Sequence, residues 1–306
     1  MEVFDIDKKE IKRLNPLDDF VFQRLMGSAE NKEGLISFLN AVLSKTRKEK
    51  IEDVEIIENK QLAKKLILDK TGRLDVRARL SDKIEIDIEV QLTDYKNMDK
   101  RTLFYWGKLF LEGIKKGNDY NELNSVITIN LLDFPFLKTE KFHNSFSLWE
   151  DEERDFKLGD LINIHFIEMP KFLKLAKKDL NDPLQRWLKF FDKTVRENEL
   201  KELITMDSVI AKTEETLEYL SSDEDTLALI EARENAKIEY NSQISAARRE
   251  EREKVEQEKK ELEKKAEEEK IEMAKEMLAD AQPIEKIIKY TKLPEHLIKK
   301  LQEELK

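Results

Sequence analysis

Apolar residues recur at helical spacing from the start of the chain. Pro16 to Asp19 offers a helix start, followed by Phe22, Leu25 and Met26, then Leu35, Phe38, Leu39, Val42 and Leu43. That stripe predicts two amphipathic helices. The period then changes. Residues 54–57, 74–80, 84–92, 126–132 and 162–167 read as strands. Between the third and fourth of these, residues 98–116 place Leu103, Tyr105, Trp106, Leu109, Phe110 and Ile114 at helical spacing. A helix of that length can cross between parallel strands, so the pattern predicts a mixed sheet. Residues 184–195, with Trp187, Leu188, Phe190 and Phe191, read as a packed helix.

Beyond this point the chain reads as mostly helix. All seven glycines lie at or before Gly159. The shift predicts an α/β domain over residues 1–200, a helical connector over 201–247, and a charged long helix with a small helical tail over 248–306. Residues 248–276 hold ten basic and twelve acidic side chains, with Val255, Leu262, Ala266 and Met273 as a thin apolar seam. They read as a solvated single helix held by Glu/Lys pairs, or as a weak coiled coil joining two chains in a homo-oligomer. Residues 283–301 read as two short helices around Leu293 and Pro294, the pattern of a small helix-turn-helix unit.

Composition narrows the chemistry. The absence of cysteine among 306 residues excludes a disulfide scaffold, a thiolate zinc site and a cysteine nucleophile. Three scattered histidines do not make a His-rich metal site. No run of about 18 apolar residues and no leading h-region occurs, so a membrane span is not expected and a cytoplasmic location is. No Gly-x-Gly-x-x-Gly, Walker or Gly-x-Ser-x-Gly pattern is present. The net charge of −10 argues against a surface built only to coat nucleic acid, but not against an enzyme that handles DNA through a metal. His165 and the three tryptophans read as structural.

The informative stretch is KTGRLDVRARLSDKIEIDIEVQLTD, residues 70–94. Two strands with alternating apolar and polar positions flank Ser81-Asp82-Lys83, a three-residue hairpin loop. If Leu80 faces Ile84, Arg77 falls opposite Asp87, Arg79 opposite Glu85, and Asp75 opposite Glu89. The last pair sets two carboxylates about 4.5–5.5 Å apart at Cβ, unfavourable in a plain sheet. A divalent cation shared by Asp75 and Glu89 would account for it; an exposed polar face with one unfavourable pair would too. Gln91 shares the face of Glu89 and could orient a water or a phosphate oxygen.

Asp75 followed by Glu89-x-Gln91 resembles the PD-(D/E)xK nuclease core, with Gln in place of Lys. NPLDDFVFQRLMGSAENKEGLISFLNAVL (15–43), KRTLFYWGKLFLEGIKKGNDYNELNSVITINLLDF (100–134) and the ending at 276–301 are similar to the Rpn family, recombination-promoting nucleases also labelled putative transposases. The resemblance implies a restriction-endonuclease-like mixed sheet flanked by helices, an all-helical C-terminal extension, and a Mg²⁺-dependent DNA endonuclease linked to recombination or mobile elements, Mn²⁺ being the alternative ion. It assigns Asp75, Glu89, Gln91 and Asp19 to catalysis. Asp75, Glu89 and the Val90 carbonyl are the expected metal ligands, and Arg73, Arg101 and Tyr105 the expected DNA contacts. Its alternative is a catalytically silent nuclease-fold module that binds DNA or protein and oligomerises through the C-terminal helix.

Overall fold

In a computed structural model, which describes residues 12–57, 76–113, 119–153 and 155–305, the first helix begins where its capping chemistry allows. The Asp18 side chain accepts from the backbone N–H of Phe20 and Val21 and starts α1 (Asp19–Met26). Helix α2 (Lys32–Leu43) follows. Both bury their apolar stripes, Phe22, Leu25 and Met26 on the first and Leu35, Phe38, Leu39 and Val42 on the second.

Strands β1 (Val54–Ile56), β2 (Val76–Leu80), β3 (Glu85–Gln91), β4 (Val126–Leu132), β5 (His143–Phe146) and β6 (Ile162–Glu168) form one sheet in the order β1-β2-β3-β4-β6-β5. Its centre, β3-β4-β6, is parallel, and the outer pairs are antiparallel. Helix α3 (Met98–Glu112) is the crossover between β3 and β4. The expected mixed sheet and crossover are therefore present. Strand β5 was not anticipated. His-Asn-Ser-Phe has no apolar alternation because it lies at a sheet edge, half-buried to exposed.

The sheet has two covered faces. Ile86, Ile88 and Val90 of β3, with Ile127, Ile129 and Leu131 of β4, pack into the main core with α1, α2 and α5 (Pro183–Phe191). Phe191 of α5 packs tilted on Phe22 and edge-on to Phe38, Trp187 packs edge-on to Phe38, and Phe190 packs edge-on to Phe191. Asp182 caps α5, and Asp192 ends it by turning its side chain to the Thr194 N–H, so the helix stops short of residue 195. On the opposite face Met98 of α3 packs with Leu132, Ile164 and Phe166. The alternative of an exposed polar face on β3 does not hold. Glu85, Asp87 and Glu89 are buried, because the crossover helix returns over that side. Trp187 is core as expected, whereas Trp149 is exposed.

Helices α4 (Met169–Leu173), α6 (Glu197–Met206) and α7 (Ser208–Ser222) complete this part. A Cβ on Gly34 would lie 2.4 Å from Asn31 Oδ1 and 2.7 Å from Thr213 Oγ1, so only glycine lets α7 approach α2 there. Helix α8 (Glu224–Ala279) is followed by α9 (Ile284–Thr291) and α10 (Glu295–Glu304). The chain divides into two compact units, Met1–Ala232 and Arg233–Lys306. In the second unit Val255 and Leu262 of the thin seam are exposed, and Lys260–Glu256 and Lys264–Glu268 pair at i,i+4.

The β2–β3 loop has the expected three residues. Leu80 N–H donates to Ile84 O at 2.9 Å, and Lys83 sits in the left-handed region at φ 67°. That conformation costs an L-residue about 1–2 kcal/mol, and glycine, which adopts it freely, gives back about 0.5–1 kcal/mol of chain entropy. Lys83→Gly should therefore raise the melting temperature slightly, by about 1–2 °C. A fall measured by calorimetry would contradict this turn geometry.

Candidate active site

The register of the β2–β3 hairpin follows from its loop. Arg77 pairs with Asp87 and Arg79 with Glu85, as the residue arithmetic expects. Asp75, the residue assigned opposite Glu89, lies outside the described residues, as do Arg73 and Lys70.

Along β3 the side chains of Glu85, Asp87, Glu89 and Gln91 alternate onto the face beneath α3. A buried carboxylate needs a partner, and each end of this row finds one differently. Glu85 receives the Arg79 Nε at 2.5 Å and lies 3.4 Å from the Arg77 Nε. Arg77 also reaches Glu112 of α3 at 2.8 Å. At the other end the Arg101 Nε, on the first turns of α3, donates to Glu89 Oε2 at 3.1 Å. Gln91 Nε2 reaches the same oxygen at 3.5 Å, the long limit of a hydrogen bond. Glu89 is 2 % exposed, and among the described residues its Oε1 has no hydrogen-bond partner.

These surroundings change the acidity of Glu89. Burial raises its pKa to about 7, and the Arg101 charge and hydrogen bond pull in the opposite direction without cancelling that effect. The carboxylate is held in place by one oxygen and offers the other. A hard cation that prefers oxygen ligands fits such a group, since it would satisfy the orphaned atom and replace lost hydration. Among the described residues no cluster of three or more His, Cys, Asp or Glu could hold a metal ion.

The neighbouring strand adds polar groups that the sequence reading missed. Thr128 and Asn130 of β4 stand beside Asp87 and Glu89 in the parallel register. Asn130 Nδ2 donates to Thr102 Oγ1 and to the His165 carbonyl, both at 3.0 Å, and the Thr102 and Thr128 hydroxyls lie 3.3 Å apart. The signal was present as two polar residues at period 2 within VITINLL, an otherwise apolar strand. Finding it required knowing that β3 and β4 run parallel and in which register.

The remaining expected residues are placed as follows. Asp19 opens α1, a helix that packs on β3. Val90 points its side chain into the main core. Tyr105 is buried, with the Arg101 guanidinium carbon 5.2 Å from its ring centre, a cation–π contact that helps hold the arginine. His165 is buried on the opposite face, its Nδ1 2.9 Å from His143 Nε2; burial pushes the two imidazoles down to about 3 and about 4, so both are neutral, consistent with a structural role.

A mixed sheet with a parallel centre, a crossover helix and a carboxylate row beneath it defines a PD-(D/E)xK-type α/β architecture. The profile of the PD-(D/E)XK nuclease family transposases matches residues 16–247. The chain belongs to that family. No curated protein and no solved structure matches it. Family membership supports a nuclease or mobile-element role acting on DNA, and members of this nuclease class generally use divalent metals.

The raised pKa of Glu89 has a thermodynamic consequence. Its folded-state value lies above the ordinary carboxylate range, so the folded state holds the proton more tightly than the unfolded chain. The stability this confers is complete below about pH 4.5 and is lost as pH rises through about 7. In EDTA, wild-type protein should therefore lose about 1–3 kcal/mol relative to Glu89→Gln between those limits. Denaturation of both proteins across that range checks it, and parallel curves would contradict it.

Proposed function

We propose that the protein is a divalent-metal-dependent DNA endonuclease that hydrolyses phosphodiester bonds, with Mg²⁺ as the physiological ion and Mn²⁺ as a substitute. Recombination or the movement of a mobile element is the setting that the family suggests. The observation that carries this reading is the buried Glu89 carboxylate, fixed through Oε2 by Arg101 and carrying an unpartnered Oε1. A nuclease of this class needs such a group, and a sheet needs no such expense for stability alone.

In this reading Asp75, Glu89 and the Val90 carbonyl hold the cation. When bound, the ion supplies Lewis acidity to the scissile phosphate and activates water. The protein residues do the rest. Arg101 fixes the rotamer of Glu89, and Tyr105 supports Arg101. Gln91 orients the attacking water through its amide. Lysine at that position would bring a cation, so the glutamine leaves more of the electrostatic work to the metal. Asp19, on the helix that packs on β3, serves a second cation or its hydration shell. Arg73 contacts DNA phosphate. Arg101 joins it once Glu89 has another cation to pair with.

The test is nicking of supercoiled plasmid in Mg²⁺ and Mn²⁺. Asp75→Ala and Glu89→Ala should each lower the rate by at least about 100-fold, the order expected when a preorganised charge is removed from a transition state. Wild-type rates in both variants would overturn the assignment. Absence of cleavage in wild type, with DNA binding that survives loss of Glu89, would favour the silent binding module instead.

A further inference from the structure

Strand β5 belongs neither to the site beneath α3 nor to the C-terminal helices. We infer that its outer edge docks the β5 of a second copy of this chain, antiparallel and across a two-fold axis. Strand β5 is the last in the sheet order, and among the described residues only β6 pairs with it. Glu168 N–H donates to Phe142 O at 2.7 Å, one residue before the strand. The alternation of an antiparallel ladder then turns the N–H and C=O of His143 and Ser145 away from β6, and Ser145 is exposed. Sheet edges of this kind are commonly blunted by charged side chains or proline. His143–Phe146 contains no Lys, Arg, Asp, Glu or Pro.

A small hairpin extends the strand. Leu158 N–H donates to Leu148 O at 3.0 Å, and Glu150 N–H to Phe156 O at 2.9 Å. Phe146, Leu148, Trp149, Phe156 and Leu158 are 46–67 % exposed. Their open area is on the order of 500 Å², against about 800 Å² per partner in a stable complex, so the strand edge and its flanks have to supply the rest. Charge on those flanks selects the occupant. Residues 138–141 and 171–178 hold six lysines against one glutamate. They border the start of β5, because Lys171 Nζ donates to Leu137 O at 2.7 Å and the Phe142 and Phe172 ring centres lie 5.7 Å apart. Lys138, Lys141, Lys174 and Lys177 are exposed, and among the described residues none of them belongs to an ion pair. Past the other end of β5, residues 150–155 hold five carboxylates against one arginine. The edge is thus basic at its start and acidic beyond its end. A second copy turned through a two-fold axis presents the complementary order, so each basic flank meets the other's acidic hairpin tip, twice in one interface.

The test is sedimentation equilibrium of the full chain in EDTA without DNA, so its outcome is independent of the nuclease reading. Wild type should form a dimer that weakens as salt rises. Ser145→Pro removes an outward N–H and leaves the β6 ladder whole, and it should loosen the dimer at least about tenfold. Lys138→Glu/Lys141→Glu should loosen it by about the same factor, as should Glu152→Lys/Glu153→Lys. Placing all four charge reversals in one chain restores opposite signs across the axis. That variant should return to within about threefold of the wild-type constant, a recovery that neither misfolding nor association through the C-terminal helix produces. A wild type that stays monomeric at every concentration would overturn the proposal. So would a dimer that none of these variants weakens, or a fourfold variant that associates no better than its parents.

Discussion

A row of carboxylates on a strand covered on both sides has to be neutralised within the protein, because desolvating an ion costs several kcal/mol. Much of the architecture around β3 answers that demand. Arg77 and Arg79 come from the antiparallel neighbour and meet Glu85, and their placement depends on a three-residue loop. Arg101 comes from the crossover helix and meets Glu89. The hairpin and the βαβ unit thus supply compensation from opposite sides. The two ends are treated unequally. Among the described residues both carboxylates keep one oxygen without a hydrogen bond, but Glu85 has two guanidinium partners, its Oε2 lying 3.4 Å from the Arg77 Nε, whereas Glu89 has one, on its other oxygen. That inequality is where chemistry enters.

The same arrangement shows how α3 serves both packing and site. Its buried stripe of Met98, Thr102, Tyr105 and Leu109 recurs at three- and four-residue steps. Met98 packs with the apolar part of the sheet, and Thr102 bonds to the polar part through Asn130 and Thr128. Arg101 lies beside that stripe and reaches Glu89. Without the helix over this face, Glu89 would be solvated and its pKa ordinary.

Much of this was legible in residue order. Alternation in VRARL and IEIDIEV placed the two strands, and a loop of three residues set their register, because a two-residue period leaves little room for slippage. The crossover helix and the mixed sheet were readable from period changes alone. Burial of the polar face was not, since alternation looks the same whether a polar side meets water or a returning helix. Arg101 could be matched to a family position, but its partner Glu89 could not be read from the sequence, as twelve residues and a change of element separate them. Strand β5 carried no signal because an edge strand need not be apolar. Asp75 and Arg73 fall outside the described residues, so their roles rest on sequence register and family resemblance.

The central claim is that Glu89 is a cation ligand waiting at the end of β3. Isothermal titration of Mn²⁺ into wild-type protein and into Glu89→Gln, at a pH above 7 where the carboxylate is ionised, tests it without DNA or turnover. The account predicts saturable binding by the wild type that Glu89→Gln loses while keeping its fold. Equal binding by the two proteins would contradict it.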